Sequence, residues 1–185
     1  MIKKEYRTIL MDPPWNESGG GKIKRGADKH YPLIKPKDML PTIIKGLNEK
    51  GSIADDAHCY MWVTNNFLKD GLQLMQELGF RYITNIVWVK DRFGLGQYFR
   101  GQHELMLFGV KGKFHRNKIP DSSCASVIHA KRRKHSQKPI EQYTRIESIS
   151  AGPYLEMFAR NKKDNWDVWG NQSEETDPKG QTTLI

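Results

Sequence analysis

One short segment of this chain, Asp12-Pro13-Pro14-Trp15, combines residue types that can do unusual chemistry. Its two prolines fix φ and carry no N–H, so the segment is stiff and its main-chain carbonyls can face a ligand. The Asp12 carboxylate and the Pro13 carbonyl can accept hydrogen bonds from the two N–H groups of an aromatic amine such as that of adenine. This would localise a lone pair that is otherwise delocalised into the ring. Trp15 offers a ring face for a base or a sulfonium cation, so we predict catalytic roles for all four residues.

Apolar periodicity predicts alternating strands and helices around this segment. A buried strand over 7–11 ends at Asp12, because proline cannot continue a ladder. The other predicted elements are strands over 58–64, 82–89, 105–110, 154–158 and 166–169, and helices over 36–47, 66–78 and 140–149. Pro41 is expected in the first turn of its helix, and Gly79 at the end of the next helix. Near-continuous apolar strands indicate an α/β fold with a mostly parallel, doubly wound sheet.

Polar residues follow most of the predicted strands. Sheets of this class bind ligands beyond the carboxyl ends of their strands. The residues at those ends are Asp12, Asn65-Asn66, Lys90-Asp91-Arg92, Arg160 and Gly170-Asn171-Gln172. We therefore expect them to gather on one rim of the sheet and to form a binding site there.

The composition indicates a folded domain that is attracted to polyanions. The chain has 185 residues, of which 37% are hydrophobic, and we expect one domain over 1–173 with a polar tail over 174–185. Its formal charge of +9 favours a nucleic acid partner. Only Cys59 and Cys124 are present, which favours free thiols in a reducing cytoplasm. No apolar run is long enough for a membrane span, and no histidine or cysteine spacing predicts a metal.

Three basic runs adjoin the predicted rim, and their members are candidates for binding the substrate. They are Lys22, Lys24, Arg25 and Lys29 in the loop after the Asp12 segment, Lys111, Lys113, His115, Arg116 and Lys118 in another loop, and Lys131, Arg132, Arg133 and Lys134 farther along. A run of charges is usually a solvated face, but their position beside the rim favours a groove for phosphates. Affinity in such a groove would fall steeply with added salt.

The order of several short motifs resembles a known family, the DPPW-type N6-adenine methyltransferases. This family includes the messenger-RNA adenosine methyltransferase catalytic subunit and many bacterial and phage DNA enzymes. The likeness runs from about residue 6 to residue 172. After Asp12 to Trp15, its motifs are Tyr31-Pro32-Leu33-Ile34, Met61-Trp62-Val63-Thr64, Ile86-Val87-Trp88-Val89-Lys90, His103-Glu104-Leu105, His135-Ser136-Gln137-Lys138-Pro139, Leu155-Glu156-Met157-Phe158-Ala159-Arg160 and Trp169-Gly170-Asn171-Gln172.

The resemblance implies a Rossmann-like fold that uses S-adenosylmethionine, with a permuted motif order in which the catalytic segment precedes most cofactor-binding residues. Lys138 resembles the lysine that holds the methionine carboxylate. Asn171 and Gln172 resemble the pair that holds the ribose hydroxyls, and Arg160 resembles a residue near that ribose. Asp12 would also contact the amino group of the methionine moiety.

Four further side chains have two interpretations each. Tyr31 either closes over the substrate or packs as an ordinary aromatic. Trp62 and Trp88 stand inside predicted strands, which favours the core over the site. Glu104 either positions the substrate and supports the catalytic segment or forms a buried ion pair.

Together these features predict methyl transfer from S-adenosylmethionine to the N6 amine of adenine in DNA, on a flipped base or a single strand. DNA is favoured over RNA because no appended RNA-binding module is visible and compact family members resemble phage or bacterial enzymes. The alternatives are an RNA N6-adenosine methyltransferase and a catalytically silent subunit that binds nucleic acid. A homodimer is a candidate assembly, and the expected location is the cytoplasm of a bacterial or phage-infected cell.

Overall fold

The computed structural model describes residues 3–17, 33–94, 96, 98–113, 124–133, 137–160 and 162–170. Its strands are β1 (Glu5–Met11), β2 (Ser52–Val63), β3 (Arg81–Val89), β4 (His103–Lys111), β5 (Val127–His129), β6 (Tyr154–Met157) and β7 (Trp166–Trp169). Its α-helices are α1 (Pro36–Lys50), α2 (Leu68–Glu77) and α3 (Glu141–Ile149), and a 3₁₀ turn, Asn65–Phe67, leads into α2. In the part of the chain described here, no helix is long and apolar enough to span a bilayer.

The strands form one sheet in the order β5-β3-β4-β2-β1-β6-β7. Neighbouring strands are parallel except at β4, which runs antiparallel to both β2 and β3. The prediction of a mostly parallel α/β sheet is therefore confirmed, with one reversed strand that the apolar pattern did not indicate. The reversal puts the amino end of β4 on the same rim as the carboxyl ends of the other strands. Its carboxyl end, with Lys111 and Lys113, therefore lies at the opposite edge of the sheet, where the Lys113 N–H donates to Asp56 Oδ1. The prediction that this basic run adjoins the rim is wrong for these two residues, whereas Lys29, His115, Arg116 and Lys118 lie outside the described residues.

Each face of the sheet packs against its own helices. Ile9 and Met11 of β1 join the core that includes the apolar side chains of α1 and α2. Leu10, which points to the opposite face, joins a second core that includes Ile146 of α3. Helices therefore cover both faces, as a doubly wound sheet requires.

The second core also contains Trp62 and Trp88, for which the sequence favoured a place in the core. Trp62 and Trp88 are almost fully buried, with their ring centroids 6.1 Å apart in an edge-to-face arrangement. The indole N–H of Trp62 donates to Gln142 Oε1 at 2.7 Å, which satisfies its buried polar atom. Their predicted place in the core is confirmed.

The ends of the helices confirm one expectation and correct another. Gly79 follows α2 with φ of +84°, a left-handed conformation that suits glycine at a helix end. Pro41, however, lies in the second turn of α1, so its expected place in the first turn is wrong. The first position belongs to Pro36, where the missing N–H has no helical partner in any case.

A glycine of α2 yields a prediction about packing. A Cβ at Gly71 would overlap Val63 Cγ1 of β2, and that branched side chain is itself buried. We expect Gly71→Ala to lower the free energy of unfolding by about 1–3 kcal/mol, although alanine favours helices. Urea denaturation measures the change. The control Gln76→Ala, on the exposed face of the same helix, should leave stability almost unchanged; equal effects in both variants would contradict the packing.

Candidate active site

Asp12 lies at the carboxyl end of β1, near the middle of the sheet. Its preceding residue, Met11, pairs with Met61 of β2 on one side and with Met157 of β6 on the other. The Asp12 N–H donates to the carbonyl of Met157 at 3.4 Å. The carboxylate therefore stands where two parallel neighbours also end, the position at which α/β sheets bind ligands.

The two prolines after Asp12 belong to a turn that is fixed by main-chain hydrogen bonds. The Trp15 N–H donates to the Pro13 carbonyl at 2.8 Å, and the Ile34 N–H donates to the Pro14 carbonyl at 2.9 Å. Trp15 and Ile34 also form an isolated parallel bridge. The Pro13 carbonyl thus already has one donor, and its second lone pair remains for another.

The Trp15 side chain anchors this turn to the body of the protein. Its indole N–H donates to the Trp62 carbonyl at 3.0 Å, and its ring stacks on Phe67 with centroids 5.5 Å apart. The residue is only 5% exposed. In this arrangement the ring holds the segment in place, and its use as a stacking surface for a base or a sulfonium stays a prediction.

A chain of alternating charges runs along the rim from Asp12. Lys138 Nζ lies 2.8 Å from Asp12 Oδ1 and 3.3 Å from Glu104 Oε2. Glu104 in turn forms an ion pair with Lys90, which follows β3. On the other side, Arg160 Nη2 lies 3.9 Å from Asp12 Oδ2. We call these five residues the rim network.

The rim network keeps Lys138 and Glu104 ionised although both side chains are largely buried. Burial works to lower the pKa of Lys138, but the carboxylates of Asp12 and Glu104 outweigh it and raise this pKa above its usual value. Burial likewise works to raise the pKa of Glu104, and the ammonium groups of Lys138 and Lys90 lower it more. Glu104 is therefore a carboxylate and Lys138 an ammonium at neutral pH.

The structure tests one of the two interpretations of Glu104, and its positioning of substrate stays a prediction. It forms ion pairs with Lys90 and Lys138, so the ion-pair interpretation is confirmed. Glu104 reaches the rim because β4 is reversed, which puts the amino end of that strand beside the carboxyl end of β3. The sequence-based prediction considered only residues at the carboxyl ends of strands, so it did not place Glu104 on the rim.

Glu156 is a third carboxyl near the site, and no role was predicted for it from the sequence. It is buried in β6, and the Tyr143 hydroxyl of α3 donates to its Oε2 at 2.8 Å. Burial raises the pKa of Glu156 to about 7, although the Tyr143 hydrogen bond opposes the rise, and the charge of Asp12 adds to it. A glutamate inside the apolar strand Leu155–Met157 was the available signal.

A close contact between β6 and β7 positions the chain near Arg160. The Ala159 N–H donates to the Trp169 carbonyl at 3.1 Å. A Cβ on Gly170 would lie 2.8 Å from the main-chain N and O of Ala159, so only glycine permits this approach. This close approach explains why the Trp169–Gln172 motif has a glycine at position 170.

The basic run after β5 is exposed on the same rim. Lys131, Arg132 and Arg133 are all exposed. The main-chain N–H of Arg132 donates to Asp91 Oδ1 at 2.9 Å, which joins this run to the residues after β3. The other predicted site residues lie outside the described part of the chain: Lys22, Lys24, Arg25, Tyr31, Lys134, Asn171 and Gln172.

The buried carboxyl of Glu156 yields a prediction about pH. Its pKa of about 7 is above the usual 4.5, so the stability that it contributes is complete below about pH 4.5 and is lost as the pH rises through about 7. Glutamine can still accept the Tyr143 hydrogen bond but does not titrate. We therefore expect the free energy of unfolding of Glu156→Gln, relative to that of the wild type, to increase by up to roughly 3 kcal/mol between pH 4.5 and 8.5. Urea denaturation across this range measures the difference.

The matched control is Glu141→Gln, because Glu141 is an exposed glutamate on α3. Its pH profile of stability should run parallel to that of the wild type. If the Glu156→Gln profile is parallel as well, the raised pKa of Glu156 is contradicted.

Comparison with known proteins links this rim to a family. The sequence pattern of the family described as MT-A70 matches residues 6–172. The Type II methyltransferase M.MunI of Mycoplasma sp is 29% identical over 194 residues, which cover 91% of this chain and 78% of that protein. The N(6)-adenosine-methyltransferase catalytic subunit METTL3 of Homo sapiens is 28% identical over 92% of this chain. A putative N(6)-adenosine-methyltransferase MT-A70-like protein of Medicago truncatula is also 28% identical over 92% of this chain.

The chain spans only 29% of the human relative and 27% of the Medicago truncatula relative, so it corresponds to one part of each. The family match, by contrast, extends from the second residue of β1 to just beyond β7 and includes the whole rim network. The chain therefore belongs to the MT-A70 family, and its sheet is a Rossmann-like methyltransferase fold.

Proposed function

We propose that this chain transfers the methyl group of S-adenosylmethionine to the N6 amine of adenine in DNA. The observation that carries the proposal is the ion pair between Asp12 and Lys138, 2.8 Å apart at the carboxyl end of β1. It places an anion and a cation side by side on the ligand-binding rim, and the anion belongs to a stiff turn.

The charges of this pair suit the methionine moiety of S-adenosylmethionine. That moiety carries a carboxylate and an ammonium, so Lys138 can donate to the first while Asp12 accepts from the second. Arg160, whose guanidinium lies 3.9 Å from Asp12, is the candidate for the neighbourhood of the ribose, with Asn171 and Gln172 for its hydroxyls. Bound S-adenosylmethionine supplies an electrophilic methyl group on a positively charged sulfur.

Glu104 positions Lys138 for this task. Its carboxylate lies 3.3 Å from Lys138 Nζ and is itself paired with Lys90. When Asp12 turns toward a ligand, Glu104 still compensates the charge of Lys138. The ammonium therefore stays in place between ligand-free and ligand-bound states.

The amine of adenine would be held by Asp12 and Pro13. The carboxylate would accept a hydrogen bond from one N–H of the amine. The Pro13 carbonyl would accept one from the other N–H through its second lone pair, because its first already accepts the Trp15 N–H. Both acceptors belong to a turn whose φ angles are fixed by proline. Holding the nitrogen in line with the methyl group can lower the barrier by about 7–11 kcal/mol.

The exposed cations on the rim suit a nucleic acid substrate. Lys131, Arg132 and Arg133 follow β5 and stand beside the end of β3, so they can contact phosphates on either side of the target. An adenine within a duplex would have to be flipped out before its amine reached Asp12. We expect single strands to be methylated more readily, because no base pair must be opened.

Two comparisons bear on the choice between DNA and RNA. This chain spans 78% of the type II methyltransferase, whereas it spans 29% of the human N(6)-adenosine-methyltransferase. The similarity to a methyltransferase of comparable length supports DNA. The N(6)-adenosine-methyltransferase relatives, with 28% identity to this chain, favour adenosine in RNA as the second candidate.

The experiment incubates the purified chain with methyl-labelled S-adenosylmethionine and with DNA and RNA oligonucleotides of matched sequence, single-stranded and duplex. The products are digested to nucleosides and separated by chromatography. We expect the label in N6-methyl-2′-deoxyadenosine. Label in N6-methyladenosine supports the second candidate. Label on cytosine or on protein, or no transfer at all, contradicts the proposal.

The same assay tests Asp12. We expect Asp12→Ala to reduce the methylation rate roughly 100-fold or more, because the side chain then has no oxygen to accept a hydrogen bond from the amine. The matched control is Asp55→Ala, which changes an exposed aspartate near the amino end of β2 and should keep the wild-type rate. Thermal melting checks that both variants fold. Retained activity in folded Asp12→Ala would remove the role proposed for Asp12.

A further inference from the structure

The connection between β3 and β4 exposes three aromatic rings. Phe93 is 59% exposed, Phe99 is 88% exposed and Tyr98 is fully exposed. These are the three most exposed large hydrophobic side chains in the described part of the chain. We call the described residues of this connection, 90–94, 96 and 98–102, the aromatic hairpin. Exposed aromatic clusters of this kind mark interaction sites, because hydrating the rings is unfavourable.

Hydrogen bonds hold the described part of the aromatic hairpin in shape. The Lys90 N–H donates to the Gln102 carbonyl at 2.8 Å, and the Gln102 side-chain amide donates back to the Lys90 carbonyl at 3.1 Å. Farther out, the Gly94 N–H donates to the Gly101 carbonyl at 2.6 Å, and Arg100 Nε donates to the Gly94 carbonyl at 3.1 Å. The rings are therefore presented on an ordered support.

The aromatic hairpin leaves the sheet at the rim that carries Asp12. Its first residue, Lys90, is a member of the rim network through Glu104. Its last residue, Gln102, directly precedes β4. Because β4 is reversed, both legs of the hairpin start from the ligand-binding rim. Anything bound to the hairpin is thus next to the site of methyl transfer.

The charges around these rings are mainly positive. The Arg92 side chain is 78% exposed, and the Arg100 guanidinium lies 5.8 Å from the centroid of the Phe93 ring. Asp91 is the single acidic residue in the sequence 90–102, and it already accepts the main-chain N–H of Arg132. The exposed basic run Lys131–Arg133 is therefore attached to the base of the hairpin.

From this arrangement we infer that the aromatic hairpin binds unpaired nucleotides that flank the target adenine. The bases stack on Tyr98 and Phe99, and the phosphates contact Arg92 and the basic run. Every base has a π-face, so such a platform accepts any sequence, while the cations follow the backbone. The inference rests on the proposed function in one respect, namely that the substrate is a nucleic acid.

Charge favours this occupant over a second copy of the chain. Each copy carries a formal charge of +9, and the hairpin lies in a cationic part of its surface. Two such surfaces would repel each other, whereas a polyphosphate backbone is attracted. Aromatic and arginine residues also occur in protein interfaces, so the test must separate the two occupants.

The test uses a single-stranded oligonucleotide in which 2-aminopurine stands between abasic sites beside the target adenine. Its fluorescence then falls only when the base stacks on a ring of the protein. The main variant combines Phe99→Ala with Tyr98→Asn, because asparagine tolerates the φ of +58° at position 98. We expect the dissociation constant of the oligonucleotide to rise roughly tenfold or more, with loss of the fluorescence change.

Two control variants separate stacking from a general effect. Tyr82→Ala removes a partly exposed ring near the amino end of β3, away from the rim, and should bind like the wild type. Phe99→Trp retains a stacking surface and should also bind like the wild type. The affinity for S-adenosylmethionine should be the same in all variants, because none of these residues belongs to the rim network.

Equal affinity for the oligonucleotide in the wild type and the double variant would overturn the inference, as would a wild type that binds no oligonucleotide. A double variant that changes from dimer to monomer in sedimentation, with unchanged oligonucleotide affinity, would overturn it in favour of an interface between copies. This assay requires no methyl transfer. Stacking without methylation would support the hairpin and contradict the proposed function, and methylation with unchanged affinity in the double variant would do the reverse.

Discussion

The ammonium of Lys138, held between the carboxylates of Asp12 and Glu104, is the constraint on which the rim depends. A largely buried ammonium needs such partners, and breaking a buried pair by removing one partner typically destabilises a protein by about 3–5 kcal/mol. Buried ion pairs are nevertheless weak contributors to net stability compared with apolar packing of the same volume. Their presence at this edge of the sheet is explained better by the proposed binding of a ligand that carries both charges than by a contribution to stability.

The reversal of β4 gives this rim two features that a wholly parallel sheet would lack. It places Glu104 beside the carboxyl end of β3, where it joins the ammonium groups of Lys90 and Lys138. It also joins β3 and β4 by a hairpin, which extends from the rim with its aromatic rings exposed. One topological feature thus supplies both a support for Lys138 and an aromatic surface next to the proposed site of methyl transfer.

Much of this architecture could be predicted from the sequence, because strands and helices differ in the period of their apolar residues. The β1 strand, the proline-rich turn after Asp12 and the neighbouring position of Lys138 follow from that pattern and from the family motifs. The three-residue strand β5 is too short for any period to be visible, and it was missed. The predicted helix began correctly at residue 36, but Pro41 was wrongly assigned to its first turn, because proline is normally unfavourable farther inside a helix.

The side chains that were missed depend on contacts between elements distant in sequence. Glu104 could be interpreted in two ways until the direction of β4 was known. Glu156 lies in an apolar strand, and its partner Tyr143 comes from a helix on one face of the sheet. The burial of Trp15 depends on Phe67 and Trp62, which lie far along the chain. Local patterns carry no information about such partners.

If Lys138 holds the carboxylate end of S-adenosylmethionine, its loss must weaken cofactor binding, which isothermal titration calorimetry measures with the cofactor alone. We expect Lys138→Met to bind S-adenosylmethionine roughly 10- to 100-fold more weakly than the wild type, as follows from the loss of a charged hydrogen bond. Lys90→Met, which removes another lysine paired with Glu104, should leave the affinity nearly unchanged. Equal affinities in the wild type and Lys138→Met, or a wild type that does not bind S-adenosylmethionine, would show that Lys138 does not have this role.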